Sequence, residues 1–360
     1  MTLAEFESIF PKLRDGGVDS ETYQRLAARA VEVPQAARLK GMDPFSASYR
    51  EAAMDLYGIL RGEASNYIAA RDERSGLALN GSIWSALPPW SFRDTTFAAE
   101  FFFSWGHILS VLELTPGSNA RVLEYGPGSG QLLLMLARMG VQAFGVDLDD
   151  AYCEAIQRQA ALMELPVQVE QAPFGEGFEG QVFDRIVFFE AFHHAADFLS
   201  LLSRLRTRLA PGGKLVLAGE PVVGHETPAV PFPWGPRLDA LSVFCIRHHG
   251  WMELGFTREF LFEAFRRSGY RVTVHHFPGC GRADAYELEP ADNWELWRVT
   301  FGKAPRRLRP MSLRHCGLIM SDCAVTTLRS LVHRDALLAS TSWRLTAPVR
   351  KVGSWLRRNS

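Results

Sequence analysis

The stretch Val122 to Gly130, VLEYGPGSG, constrains this chain more than any other. A short apolar strand, Val122 and Leu123, ends in an acid, Glu124. Glycines follow at alternate positions, Gly126, Gly128 and Gly130, and then an apolar helix begins, with Leu132, Leu133, Leu136 and Ala137 on its buried side. A strand that runs through a glycine loop into a helix aims backbone N–H groups at a small ligand. The glycines let that ligand approach, because a Cβ would hold it away. Two ligand classes use such a turn. A dinucleotide fold wants G-x-G-x-x-G, but counted from Gly126 the third glycine falls on Gln131. An acid just before the loop is also poorly placed beside a pyrophosphate. A carboxylate there suits a cationic group such as an amino-acid ammonium.

One glycine loop is a weak signal, since turns are rich in glycine, and the residues after it decide the matter. Ala143 to Asp147, AFGVD, reads as a second strand ending in an acid, about 20 residues beyond the loop, where a ribose-binding carboxylate belongs. Val182 to Phe189, VFDRIVFF, reads as a buried strand entered through Asp184, with Glu190-Ala-Phe-His-His194 at its carboxyl end. Leu209 to Gly219, LAPGGKLVLAG, closes a helix with Pro211-Gly212-Gly213 and opens another strand. In these four motifs, over roughly Arg121 to Lys303, the chain resembles the class I S-adenosylmethionine (SAM)-dependent methyltransferases of the type 11 and 12 kind.

The resemblance implies an α/β fold, a Rossmann-like seven-stranded, mostly parallel sheet with one antiparallel strand and helices on both faces. It implies SAM as cofactor and S-adenosylhomocysteine as product. Glu124 would face the methionine ammonium. Tyr125, Gly126, Pro127, Gly128 and Gly130 would wall the methionine and ribose, and Asp147 would accept from the two ribose hydroxyls. Leu148 would lie on the adenine. Many members place an acid after the third strand to reach the adenine amino group, but here the stretch is Gln171-Ala172-Pro173-Phe174. Backbone carbonyls near Pro173 would serve instead, with Phe174 packing on the ring. Methyl transfer to a hydroxyl needs donor and acceptor in line and a group to take the proton. His194, His193 and Glu190 are the candidates, at the carboxyl edge where open α/β sheets bind ligands; His225, His248 and His249 compete from a later connector.

Composition sets outer bounds. The 360 residues suit one large domain or two smaller ones. A net charge of −1 gives no reason to expect nucleic acid. The five cysteines, Cys153, Cys245, Cys280, Cys316 and Cys323, form no C-x-x-C pair. They read as reduced thiols in a cytoplasmic protein, with no metal expected. The N-terminus has early acids and no long apolar core, which argues against a signal peptide, and no run is long enough to span a membrane.

Three regions follow: a helical cap or lid over residues 1–115, the methyltransferase domain over 116–304 and a C-terminal extension over 305–360. In the first, helices are expected from Ser20-capped Glu21 to about Val33, over Ser48–Ala70 and over Phe97–Leu114. Between the last two, Leu79–Asp94 reads as an aromatic, proline-rich loop packed on the core or over a ligand. In the second, strands are expected near 120–125, 142–147, 166–171, 183–189 and 213–219. Tyr270–Phe277 and Trp294–Phe301 read as two more, and Thr257 caps a helix over Arg258–Ser268. The long connector Pro221–Phe256 is of a length that is often functional; it holds His225, Trp234, Arg237, His248, His249 and Trp251.

The tail from Ser342 carries Arg344, Arg350, Lys351, Arg357 and Arg358 and no acid, with Leu345, Val349, Val352 and Leu356 at helical spacing. Such a helix can lie on the inner face of a cell membrane or dock on the protein itself. Its phrase SWRLTAPVR resembles the ends of bacterial glycosyltransferases and polysaccharide-assembly proteins, which points to glycan biosynthesis and to contact with a glycosyltransferase. The expected function is O-methylation of a sugar of a bacterial surface glycan or its precursor. A non-catalytic scaffold of glycan assembly and a small-molecule methyltransferase of secondary metabolism stand beside it. The oligomeric state has no signal in the sequence.

Overall fold

The computed structural model describes residues 1–62, 66–74, 88–115, 117–291 and 299–301, the last three by their backbone alone. The basic tail and most of the aromatic loop lie outside the described residues. Residues Met1–Lys303 form one compact unit.

Among the described residues, five helices open the chain: α1 Leu3–Gly16, α2 Ser20–Ala27, α3 Ala47–Arg61, the single turn α4 Ala69–Asp72, and α5 Thr95–Val111. Their ends differ from the sequence expectations for local reasons. Asp19, not Ser20, caps α2, accepting from the Thr22 N–H. Ser46 caps α3, and Gly62 stops it in the left-handed conformation, φ 73°. Asp94 caps α5 through the Thr96 and Phe97 N–H groups. The described end of the aromatic loop packs on α5: Trp90 meets Phe102 and Phe92 meets Phe97 edge-on.

The central segment alternates: β1 Arg121–Tyr125, α6 Gln131–Arg138, β2 Gln142–Asp147, α7 Asp150–Leu162, β3 Val167–Gln171, β4 Phe183–Phe189, α8 Phe198–Thr207 and β5 Leu209–Ala218. Next come β6 Val222–Val223, β7 Trp234–Pro236, α9 Ala240–His248 and β8 Leu254–Thr257. The described chain closes with α10 Arg258–Arg267, β9 Tyr270–His275, β10 Ala285–Pro290 and β11 Val299–Phe301. Pro211-Gly212-Gly213 does not separate α8 from β5: it lies inside the strand, at a shift of register between Phe183 and Arg185 of β4.

The main sheet has the order β11-β9-β10-β5-β4-β1-β2-β3. Among the described strands of this sheet β10 alone is antiparallel to its neighbours, β5 and β9, and β11 extends the edge beside β9 in parallel. The expected sheet is therefore present, but its antiparallel strand is Ala285–Pro290, which no sequence motif marks. Its pattern AYELEP interleaves Glu287 and Glu289 with apolar residues. Lys214 pairs with both acids, at 2.9 and 3.1 Å, letting a charged strand sit inside the sheet.

Strand side chains alternate between faces. Leu123, Ile186, Phe188, Leu215 and Leu217 join one core. Val122, Val187, Val216 and Ala218 join the other, under α5 with its buried Phe97, Phe101, Trp105 and Ile108. With both faces covered, the carboxyl ends of the strands are left as the place for a ligand.

The connector Pro221–Phe256 is not an open loop. It folds into the three-stranded sheet β6-β8-β7 plus α9 and packs against the N-terminal helices. Tyr49 of α3 donates its hydroxyl proton to the Trp234 carbonyl at 2.7 Å. The Trp234 indole donates to the Pro44 carbonyl at 2.8 Å, and the Ala240 N–H donates to the Arg29 carbonyl at 2.7 Å. Tyr49 is fully buried, so Tyr49→Phe leaves a buried carbonyl short of a donor. It is expected to lower unfolding stability by about 1–2 kcal/mol, read as a shifted urea midpoint at unchanged slope.

Candidate active site

The glycine loop takes the shape the sequence demands. Gly126, Gly128 and Gly130 all lie at positive φ, 67°, 49° and 72°. At Gly126 a Cβ would meet the Ala191 Cβ at 2.8 Å and the Phe174 ring at 3.5 Å, so this glycine seats the loop against the turn after β4. At Gly128 a Cβ would meet nothing within 4 Å. That open space lies beside two buried acids. Glu124 is 3% exposed and its Oε2 has no hydrogen-bond partner among the described residues. Asp147 accepts the Gly128 N–H on Oδ2 at 3.2 Å and the Asp149 N–H on Oδ1 at 3.0 Å, leaving each oxygen one lone pair for a hydroxyl. It is not a helix cap: Asp149 caps α7, accepting from the Ala151 N–H.

Burial, and then the charge of Asp147, push the Glu124 carboxyl up to about 8. Burial raises Asp147 to about 6 against its backbone donors. A buried carboxylate with one orphaned oxygen, a second one with spare acceptor capacity and an open glycine cradle fit a ligand carrying an ammonium and two hydroxyls. Pro127 and Leu148 border this space in sequence. Pro173 is exposed. Phe174 packs edge-on against Tyr125 and Phe188, under the Gly126 end of the loop. Tyr125 offers no side chain to the ligand: its hydroxyl donates to the Glu176 carbonyl at 2.9 Å and its ring stacks on Phe188.

The turn after β4 is fixed by Glu220, a residue outside the sequence motifs. It follows Gly219 at the end of β5. Its carboxylate accepts the Ala191, Phe192 and His193 N–H groups at 3.2, 2.9 and 3.0 Å. It also accepts His193 Nδ1–H at 2.8 Å, which places that ring's proton on Nδ1. His193 Nε2 faces Glu253 Oε2 across 3.8 Å. Glu253 is held by Arg237 Nη2 at 3.2 Å, and Arg237 Nε reaches Asp239 at 3.2 Å. His194 Nδ1 forms an ion pair with Glu73 at 3.0 Å. Glu73 also accepts the Tyr67 hydroxyl at 2.8 Å and the Met252 N–H at 2.6 Å.

Burial and the neighbouring His194 hold His193 well below the ordinary imidazole range. Burial also pulls His194 down, but Glu73 and the further carboxylates outweigh it and lift the ring to about 9. Burial lifts Glu220 to about 7 although three backbone donors favour its ionised form.

The other expected residues fall elsewhere. Glu190 has φ 50° and its carboxylate is taken by Arg282, which also reaches Glu100 at 3.3 Å. His248 stacks on Phe244 and His249 on Trp251. His225 lines a separate groove with Phe45 and Phe260. Glu220 was findable from the strand-end rule alone. Glu73 and Glu253 were not, since no spacing links them to the histidines.

Residues 97–275 match the family described as a methyltransferase domain. The chain is similar to the protein-L-isoaspartate O-methyltransferase of Methylorubrum extorquens (strain PA1), 33% identical over 118 residues, 33% of this chain and 49% of that protein. It is also similar to the ubiquinone biosynthesis O-methyltransferase of Paramagnetospirillum magneticum (strain ATCC 700264 / AMB-1), 28% identical over 100 residues, 28% of this chain and 40% of that protein. The chain thus spans half or less of these relatives' own length. Among solved structures it is similar to the CcbJ methyltransferase from Streptomyces caelestis, 16% identical with a TM-score of 0.40, covering 52% of this chain and 90% of that one. Residues 97–275 thus carry the sequence pattern of a methyltransferase domain, whose cofactor is SAM.

The loop can be tested at both of its ends. Gly128→Ala meets no atom but keeps a left-handed φ, so it is expected to cost about 1–2 kcal/mol of stability while abolishing S-adenosylhomocysteine binding in a calorimetric titration. For Glu124, a pKa raised in the folded state means that stability is present below its ordinary value of 4.5 and lost as pH rises toward about 8. Glu124→Gln removes that loss. At pH 8 it should raise the melting temperature of the unliganded protein, by roughly 2–4 °C or more, while weakening S-adenosylhomocysteine.

Proposed function

We propose that the protein moves a methyl group from SAM to a hydroxyl of a sugar, on a bacterial surface glycan or its precursor. When bound, SAM supplies a methyl group on a sulfonium centre and leaves as S-adenosylhomocysteine. Glu124 pairs with the ammonium and Asp147 with the ribose hydroxyls. Gly126, Pro127, Gly128 and Gly130 let the ligand lie against the loop backbone. Leu148 and the backbone of Ala172 and Pro173 border the adenine. The Ala191 contact with the Gly126 loop brings the Glu220-anchored turn beside the reacting end. His193, His194 and Glu253 then form the acceptor face, where the hydroxyl's proton passes to His193 Nε2, the nitrogen that the Glu220 bond leaves as an acceptor. Holding the acceptor in line is the larger share of the task. Glu190, engaged by Arg282, shapes the wall.

The observation that carries methyl transfer is the pair of buried acids at the loop: a chain that only kept the fold would gain stability by losing Glu124. The glycan half rests on the wording of the tail. A small-molecule acceptor is the second reading, favoured by the ubiquinone biosynthesis relative. Any membrane or glycosyltransferase contact would belong to the tail; among the described residues no helix is long and apolar enough to cross a membrane.

Calorimetry with S-adenosylhomocysteine should give micromolar binding to the wild type, weakened about 10- to 100-fold in Asp147→Ala. No binding to the wild type overturns the enzyme reading. With radiolabelled methyl donor, transfer to saccharide hydroxyls is expected; far higher turnover of small phenols overturns the glycan half.

A further inference from the structure

We propose that His193, His194 and Glu253 bind a divalent transition-metal ion. One ligand atom from each lies within 4.8 Å of the others. Two donors that share an ion at about 2.1 Å each stand at most about 4.2 Å apart. His193 Nε2 and Glu253 Oε2, at 3.8 Å, already meet that limit. The third ligand atom, from His194, lies within 4.8 Å of both.

The supporting groups match what metal-bound histidines need. A ligating imidazole gives its other nitrogen to a carboxylate or carbonyl, which fixes its tautomer and turns the free nitrogen to the ion. His193 is so placed, its Nδ1 against Glu220 at 2.8 Å, which leaves Nε2 for the ion. His194 Nδ1 lies 3.0 Å from Glu73, as an ion pair outside hydrogen-bond geometry. The carboxylate ligand has its own anchor in Arg237. His193 is 7% exposed, yet its Nε2 faces a carboxylate beyond hydrogen-bonding distance, a buried acceptor aimed at an acceptor. Something with positive charge between them resolves that conflict. Glu73, Glu220, Glu253 and Asp239 supply four carboxylates around the pair, against the guanidinium of Arg237.

Two imidazoles and one carboxylate suit zinc, cobalt, manganese or ferrous iron rather than calcium or magnesium, which prefer oxygen donors. Three protein ligands leave coordination positions open for the acceptor's oxygen. That use rests on the methyl-transfer reading; the site itself does not.

The test is titration of the chelator-treated full chain with cobalt(II), followed by visible absorption, and with zinc(II) in competition. One equivalent should bind at micromolar or lower concentration, with visible bands of a low-coordinate cobalt site. Glu253→Gln and His193→Ala should lose the bands, and Glu220→Gln should weaken binding about 10- to 100-fold. Absence of saturable cobalt binding to the wild type overturns the proposal, as does unchanged binding in the Glu253→Gln and His193→Ala variants. S-adenosylhomocysteine is titrated into the same samples. Retained cofactor binding without metal binding defeats the metal site alone. Loss of cofactor binding with and without metal defeats the methyltransferase reading instead.

Discussion

The whole turn after β4 depends on one carboxylate, Glu220. It takes three consecutive backbone N–H groups and one imidazole N–H. Without it, three buried donors of the turn after β4 would be orphaned, each at a cost of about 1–3 kcal/mol. The turn could then not stay tight against the Gly126 loop, where Ala191 sits in the space a Cβ would need. Glu220 therefore couples the end of β5 to the end of β4 and sets the His193 tautomer. It also fixes where the inserted sheet leaves the main one.

The second constraint is charge. The carboxyl edge gathers Glu124, Asp147, Glu220 and Glu253, all buried, with Glu73 at its rim. Among the described residues, only Glu253 of these four has a guanidinium partner. Burial drives the Glu124 and Asp147 carboxyls upward, so their ionised forms are strained until something cationic or strongly donating arrives. Glu124, which costs stability in the unliganded protein, stands where a ligand can satisfy it.

The cofactor half was legible because its chemistry is local. Glu124 and the three loop glycines lie within seven residues, and Asp147 stands at the next strand end, so parallel strands bring them all to one edge. The antiparallel β10 was not legible, because Glu287 and Glu289 break its apolar run and only the pairing with Lys214 makes that run a strand. The turn after β4 was legible in part: His193 and His194 stand at a strand end. Which nitrogen of His193 keeps a lone pair was not, because Glu220 decides it, nor was the charge of His194, set by Glu73 far away in sequence. The connector's length marked it as functional, but its fold depends on Tyr49 and Pro44, which no local pattern ties to Trp234.

The groups around the turn after β4 come from both inside and outside the matched segment. The glycine loop, Asp147 and the turn after β4 lie within the matched segment 97–275. Glu73, Tyr67 and the helix that seats the connector 221–256 lie before residue 97, and Glu73 closes on His194 and Met252 from outside the matched segment. A sheet edge alone can present a cofactor, but its open side must be built by other elements, and here an N-terminal segment and the connector 221–256 pack there together. The curated relatives align with about a third of this chain, too little to span both. Their likeness therefore reaches the matched segment and not the contacts that Glu73 makes from outside it.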